Sequence, residues 1–251
     1  MSKTSIAWTE RTWNPVTGCT KISEGCRHCY AEVMAKRLQG MGQKRYANGF
    51  QLTLHPEALN EPLKIKEPSM FFVCSMADLF HKDVPFDFVD KVMWTIEKTP
   101  KHIYQLLTKR PDRMREYFIT FHHVPGNVWI GTTLEYPDYN WRLAELKLIS
   151  TKSVKFLSCE PLLGDLGALN LSGIDWVIVG GESGTQARPM CKEWVLNIQR
   201  QCVGQGVPFF FKQWGTWGED GVRRDKKTNG CMIDGKIYQE WPKICEKRGI
   251  R

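Results

Sequence analysis

Asp175-Trp176-Val177-Ile178-Val179-Gly180-Gly181-Glu182-Ser183 runs from a continuous apolar stretch through two glycines into polar residues. A strand with one wet face alternates apolar and polar side chains, whereas Val177-Ile178-Val179 offers nothing to water on either face. That is the pattern of a parallel strand covered on both sides. Phe209-Phe210-Phe211 repeats it. Working outward, Met70 to Ser75, His102 to Leu107, Asn127 to Thr132, Ser153 to Ser158, Asp175 to Gly180 and Val207 to Phe211 read as strands, with an opening strand near Thr12 to Thr17.

Amphipathic segments fall between these runs: Phe86 to Thr99, Asp138 to Ile149 and Lys192 to Gln205. In the first, Phe88, Val89, Val92, Met93 and Ile96 recur at helical spacing and define one face to pack on the sheet. Pro85 and Asp87 punctuate its start, and Gly204 and Gly206 the end of the last. Strands alternating with helices predict the α/β class with a parallel sheet. The alternation alone leaves an open sheet and a barrel equally available. It stops near residue 214, which predicts a body over 1–214 and a small C-terminal appendage over 215–251.

The chain's 251 residues suffice for one barrel-sized domain, and 42% apolar with 25% charged residues is the composition of a folded protein. No apolar run approaches the roughly 20 residues of a membrane span, and Met1-Ser2-Lys3-Thr4-Ser5 does not open a signal peptide, so no membrane contact and a cytoplasmic location are expected. Nine cysteines without a secretion signal favour metal or redox chemistry over a disulfide scaffold. Lys and Arg exceed Asp and Glu by 35 − 27 = 8, which favours a polyanionic partner such as DNA or RNA. Much of that excess lies in Arg223 to Lys227 and Lys243 to Arg251, which read equally well as a solvated tail.

In α/β folds function collects where strands end. Ser75-Met76-Ala77-Asp78, Thr108-Lys109-Arg110, Thr132-Thr133-Leu134-Glu135, Ser158-Cys159-Glu160, Gly181-Glu182-Ser183 and Lys212-Gln213-Trp214 each follow an apolar run directly. Gly180-Gly181-Glu182-Ser183-Gly184 lacks the Lys-Ser/Thr ending of a phosphate loop, which leaves Glu182 as a candidate acceptor or acid/base in a turn near the substrate or a cofactor.

The segment Cys19-Thr20-Lys21-Ile22-Ser23-Glu24-Gly25-Cys26-Arg27-His28-Cys29 spaces its thiols as C-x6-C-x2-C. Three thiolates on one loop can bind three irons of a cubane and leave the fourth iron for a chelating small molecule. Soft thiolates also suit zinc, with His28 as a fourth ligand by type, and unliganded thiols are the third alternative.

The loop resembles the three-cysteine signature of radical S-adenosylmethionine (SAM) enzymes, with His28 where an aromatic residue commonly precedes the last cysteine. It departs from their usual spacing by three extra residues between the first two cysteines. A wider resemblance rests on Trp13 to Cys19, Ser75 to His81, Leu107 to Pro111, Ser158 to Gly164, Gly180 to Gly184 and Phe211 to Gly215. These blocks, in this order, resemble the phage Gp37/Gp68 family, a domain of unknown function. That family is similar to radical SAM proteins, spore photoproduct lyase among them. The resemblance implies a partial (β/α)6 TIM-like barrel, a [4Fe-4S] cluster on Cys19, Cys26 and Cys29, SAM as cofactor, a 5′-deoxyadenosyl radical and an electron donor that reduces the cluster.

It also implies roles at the strand ends. Ser75 and Asp78 would meet the SAM amino nitrogen, Lys109 or Arg110 its carboxylate, Glu135 the ribose hydroxyls and His28 the adenine. Each is otherwise an ordinary loop residue or helix cap. Cys159, at a strand end, is a hydrogen-atom donor by analogy with the lyase, or a buried small hydrophobe. Cys74, Cys191, Cys202, Cys231 and Cys245 show no metal spacing and read as structural.

The leading functional expectation is a radical SAM enzyme acting on nucleic acid, in lesion repair or base modification, with Trp214, Trp217 or Tyr136 as candidate stacking partners. The alternatives are a zinc- or cluster-stabilised DNA-binding accessory protein without turnover, and a radical SAM enzyme for a small metabolite or partner protein.

Overall fold

A computed structural model describes residues 3–120 and 123–247. The end of the basic C-terminal run, 248–251, lies outside the described residues. The chain divides into two compact units, one of residues up to Thr132 with Leu148–Ser153, the other of Thr133–Lys147 with residues from Val154 onward.

The first unit carries β1 (Arg11–Trp13), β2 (Val16–Thr17), α1 (Tyr30–Gly40), β3 (Thr53–Leu54), β4 (Met70–Val73), α2 (Phe86–Glu97), β5 (Ile103–Thr108), α3 (Pro111–Thr120) and β6 (Val128–Thr133). Strands β1, β4, β5 and β6 lie side by side and parallel, with Trp13 opposite Val73, Val73 opposite Leu106 and Thr108 opposite Thr132. Every residue of β4 and β6 is buried, as continuous apolar runs demand. Phe71 stacks on Tyr104 at 5.3 Å, and Trp13 meets the same ring edge-on at 5.7 Å. Helix α2 buries Phe88, Val89, Val92, Met93 and Ile96, the face that their spacing predicts.

The opening strand differs from expectation. Thr12 to Thr17 is broken at Asn14-Pro15 into β1 and β2, and β2 pairs antiparallel with β3 instead of joining the parallel sheet. Pro15 has no N–H to give to a ladder. The Asn14 Oδ1 accepts from Ser75 Oγ at 3.2 Å and Met76 N at 3.1 Å, so the break serves the turn after β4.

The second unit carries α4 (Trp141–Leu148), β7 (Lys155–Cys159), β8 (Trp176–Gly180), α5 (Lys192–Gln205), β9 (Phe209–Gln213), α6 (Lys226–Asn229), β10 (Met232–Ile233), β11 (Lys236–Ile237) and α7 (Lys243–Lys247). Strands β7, β8 and β9 are parallel neighbours in that order, and all of β8 is buried. Helix α5 ends at Gly206, whose φ of +67° is the left-handed stop that a glycine supplies. Helix α4 starts later than its periodicity suggests, because Pro137–Tyr139 forms a separate 3-10 turn. From residue 215 onward the chain forms the β10–β11 hairpin and two short helices. Its Glu240 N–H donates to Phe209 O at 3.0 Å, beside β9.

Within each unit the strand order follows the chain order. That is the sequential β/α arrangement of a partial barrel and not the reversing order of a doubly wound sheet. The fold is therefore mixed α/β of the partial-barrel type.

Candidate active site

The cysteine loop is fixed at its start by backbone, not by side chains. Gly18 has φ +79°, and a Cβ there would lie 2.1 Å from Gln51 O. The Gly18 N–H donates to Met76 O at 3.0 Å, and the Cys19 N–H to Phe50 O at 3.2 Å. Glycine alone fits between these chains. The result holds Cys19 against the turn that follows β4.

That turn begins with Cys74, a non-glycine residue at φ +58°, which breaks the strand sharply. It sends Ser75-Met76-Ala77-Asp78 back across the strand end. Asp78 is buried and its carboxylate is saturated. Its Oδ1 accepts from Thr108 Oγ1 at 2.7 Å and Phe80 N at 3.0 Å. Its Oδ2 accepts from Lys109 N at 3.2 Å and Arg110 Nη1 at 2.9 Å.

Arg110 stands just before α3, whose first residue is Pro111, a residue suited to a helix start. Its side chain returns to the cysteine loop. Nη1 also lies 3.7 Å from Cys19 Sγ, and Nη2 donates to Thr20 O and Thr20 Oγ1 at 3.1 Å each. Thr20 Oγ1 is 2.8 Å from His81 Nε2. Asp83 N donates to His81 Nδ1 at 3.2 Å, so the ring proton sits on Nε2 and is given to Thr20. Burial, joined by the Arg110 charge, lowers the His81 pKa and keeps the ring neutral.

The cysteines differ. Burial and then the Asp78 charge push the Cys19 thiol up to about 11, against the pull of Arg110. Burial works the same way on Cys26, but there the Lys109 charge, the N–H groups of Ile22 and Ser23 and the Ser23 hydroxyl prevail and lower it. Cys29 stands at the N-cap position of α1, with no side-chain hydrogen bond to the helix. All are half-buried and none is in a disulfide. Among the described residues, no group of three His, Cys, Asp or Glu side chains is gathered about one point as metal ligands. The donor set nonetheless fits a soft-metal group in kind, since three reduced thiols share one loop with Arg110 and Lys109 nearby to balance thiolate charge.

The structure therefore brings together Cys19, Asp78, Lys109 and Arg110, with Cys26 under the charge of Lys109, while Ser75 is hydrogen-bonded to Asn14 and Tyr30. His28 lies half-buried between Cys26 and Cys29. Asn14, Thr20 and His81 belong to the same network. Sequence reasoning gave these three no role, although each lies inside a quoted block or the cysteine loop.

In the second unit, Glu135 is fully buried and its Oε2 accepts from Arg142 Nη1 at 2.7 Å. Arg142 also stands 4.3 Å from the Tyr139 ring centroid and donates to Thr133 O. Cys159, at the end of β7, is fully buried, and burial with the neighbouring Cys202 raises its pKa strongly. Glu182 takes three donors from Arg188, at 2.8 Å from N, 2.9 Å from Nε and 2.8 Å from Nη2. A further pair, Lys212 Nζ to Glu160 Oε1 at 2.8 Å, was not foreseen. Of the candidate stacking residues, Trp214 is buried with Nε1 on Met232 O, Trp217 donates to Ala187 O, and Tyr136 is exposed.

Taken together, the fold and this site define an α/β protein that displays thiols and fixed charges at the C-terminal ends of parallel strands. Over residues 3–242 the chain matches the family described as protein of unknown function (DUF5131), and it belongs to that family. None of the curated proteins matches it. Among solved structures, a cysteine-to-serine mutant of spore photoproduct lyase is similar at a TM-score of 0.49 and 14% identity, over 80% of this chain and 63% of that one. The lyase complexed with dinucleoside spore photoproduct gives 0.48 and 12%, over 78% and 62%. A double mutant with bound AdoMet and dinucleoside spore photoproduct gives 0.45 and 13%, over 80% and 63%. The chain thus spans 62–63% of the length of these lyase chains. No residue role is carried across from them.

Proposed function

We propose that the protein is a radical SAM-type iron–sulfur enzyme acting on nucleic acid, with Cys19, Cys26 and Cys29 as cluster ligands. The observation that carries this reading is Arg110, which ties the Cys19 thiol to the buried Asp78 carboxylate at the ends of β4 and β5. The sequence blocks that resemble the Gp37/Gp68 family carry the choice of cofactor.

When bound, a [4Fe-4S] cluster with SAM would supply one-electron cleavage of a carbon–sulfur bond. The chain's own contribution is orientation and charge. Asp78, locked by Thr108 and two backbone N–H groups, presents Arg110 with a fixed geometry. Arg110 and Lys109 offset thiolate charge; the Arg110 fork is engaged by Asp78 and Thr20, which leaves the Lys109 ammonium as the donor for a carboxylate. Ser75 follows the left-handed turn at Cys74 and gives its hydroxyl to Asn14 Oδ1. The excess of eight positive charges supports a nucleic-acid substrate, and exposed Tyr136 offers a ring for a base.

Anaerobic reconstitution tests the reading through ultraviolet-visible and electron paramagnetic resonance spectra, with and without SAM. A reduced [4Fe-4S] signal that shifts with SAM and is lost in the Cys19→Ala, Cys26→Ala, Cys29→Ala triple variant supports it. Stoichiometric zinc with no response to SAM overturns it in favour of a metal-stabilised binding protein.

A further inference from the structure

A charged couple closes the strand ends of the second unit. Lys212 Nζ lies 2.8 Å from Glu160 Oε1, with the two side chains 23% and 14% exposed. Glu160 Oε2 accepts from Ser158 Oγ at 3.2 Å. The strand register shows which way the couple faces. Ser158, Ile178 and Phe210 lie opposite one another on β7, β8 and β9, so they share one face of the sheet. Cys159, the next residue, points to the other face, where its neighbour is Cys202 of α5. Ser158 and the carboxylate it donates to therefore lie on the face turned away from α5, at the C-terminal strand ends where β/α folds bind their ligands.

Two departures from regular structure build the couple. Val179 is opposite Phe211 but Gly180 is opposite Gln213, so Lys212 is the extra residue of a β-bulge, a device that re-aims a side chain. A Cβ at Gly180 would lie 2.7 Å from Glu160 Oε1, so the glycine leaves the carboxylate room to cross the end of β8. The chain after Glu160 is pinned as well: the Leu162 N–H donates to Gly180 O at 3.0 Å and the Leu163 N–H to Glu135 O at 2.8 Å. At Gly164 it passes against the ring of Tyr136, whose Cδ2 and Cε2 stand 2.6 Å from where a Cβ would be. Tyr136 is exposed, and Gly164 follows Glu160 closely enough in the chain to lie within at most about 14 Å of it.

We propose that the Glu160–Lys212 couple reads the edge of a nucleobase, the ammonium donating to a ring nitrogen or carbonyl oxygen and the carboxylate accepting from an adjacent N–H, while Tyr136 offers its ring to a base. The inference rests on the nucleic-acid reading and adds which part of a nucleotide the second unit holds. An ammonium only donates and a carboxylate only accepts. Among the described residues Lys212 has Glu160 as its one partner, which leaves N–H groups over for a ligand. The two charges cancel, which suits a neutral group carrying a donor beside an acceptor, as the Watson–Crick edge of each base does. A phosphate carries acceptors alone and would meet the Glu160 carboxylate. A carboxamide has the same pair of groups but no ring to lay on Tyr136.

Binding of a short single-stranded oligonucleotide and of its abasic counterpart, measured by fluorescence anisotropy at low and high salt, tests the inference. Wild type is compared with Glu160→Gln, with the double variant Glu160→Gln, Lys212→Met and with Gly180→Ala, each checked by a thermal melt. The double variant leaves the net charge as it is. It is expected to bind the oligonucleotide about tenfold more weakly, with the salt slope unchanged and the abasic strand bound as by wild type. Gly180→Ala keeps both charges, displaces the carboxylate and is expected to lose affinity in the same direction; it carries the test if the other variants unfold. Glu160→Gln separates the couple from a plain phosphate contact, because it sets a positive charge free and would tighten binding to a phosphate. Tighter binding by that variant, or an equal loss on the abasic strand in the double variant, overturns the inference. A chain that binds the oligonucleotide indifferently to all the variants ends the inference and keeps the nucleic-acid reading. A chain that binds neither strand at low salt ends that reading and the inference with it.

Discussion

Arg110 links a thiol to a carboxylate, with Nη1 3.7 Å from Cys19 Sγ and 2.9 Å from Asp78 Oδ2. The link joins the cysteine loop to the ends of β4 and β5, adding charge to the backbone bonds of Gly18 and Cys19 and to the apolar contact of Cys29 with Met76. Asp78→Ala leaves Arg110, the Thr108 hydroxyl and two backbone N–H groups without their acceptor. Removing one member of a buried pair costs about 3–5 kcal/mol. Urea midpoints are expected to fall accordingly, with a smaller fall for Arg110→Lys, which keeps the charge and loses the fork. A midpoint for Asp78→Ala within experimental scatter of wild type would show that the network is not structural.

Gly18 and Gly42 make a matched pair. Both have positive φ, +79° and +70°, but a Cβ meets Gln51 O at 2.1 Å in the first and nothing within 4 Å in the second. Gly42→Ala is expected to cost about 1 kcal/mol through backbone strain alone. Gly18→Ala adds a backbone clash beside Cys19 and is expected to exceed about 2 kcal/mol. It should also lower iron bound per chain after reconstitution, a readout that Gly42→Ala leaves alone. Equal costs for the two would mean that the loop adapts.

The strands were legible in the sequence because their burial on both faces writes itself as unbroken apolar runs, and β8 and β4 are where those runs said. Helix α1 was not read, because its buried positions are Ala31 and Ala35 while Val33 and Met34 face water and the Tyr30 hydroxyl turns back to Ser75 O, so its apolar pattern does not mark the core. The break at Asn14-Pro15 was missed for a related reason: the role of Asn14 is to accept from residues 61 and 62 positions onward, Ser75 and Met76. Site residues at strand ends could be listed from sequence. Which of them were already committed to a partner could not, since Arg142 and Arg188 carry no motif and reach Glu135 and Glu182 only through the fold.

Those two pairs should behave differently when broken. Arg142 and Glu135 are both essentially inaccessible, at 1% and 0% side-chain exposure, whereas Arg188 is 26% exposed beside Glu182. Glu135→Ala strands a buried guanidinium and is expected to cost about 3–5 kcal/mol. Glu182→Ala lets Arg188 turn to solvent, and its cost is expected to stay nearer 1–2 kcal/mol, about that of lost charge-assisted hydrogen bonds. Thermal melts of the two single variants check the order. A larger loss for Glu182→Ala would contradict the burial argument.

Acid should weaken the fold through histidine. His55, His81 and His102 are buried, and in each burial is the leading cause that holds the pKa below its ordinary value of about 6.5. The unfolded chain then takes up protons more readily than the folded one. Stability is complete above the unfolded value and is lost as pH falls from about 6.5 toward the lowered folded values. Urea midpoints are expected to drop between pH 7.5 and 5.5. The His102 Nδ1 accepts from Ser69 N at 3.2 Å, and its ring meets Phe71 edge-on at 5.1 Å. His102→Asn keeps an acceptor for that N–H while removing the titration, so its midpoint should fall less steeply over the same interval. A slope that is unchanged in His55, His81 and His102 variants alike would assign the acid sensitivity to carboxylates instead.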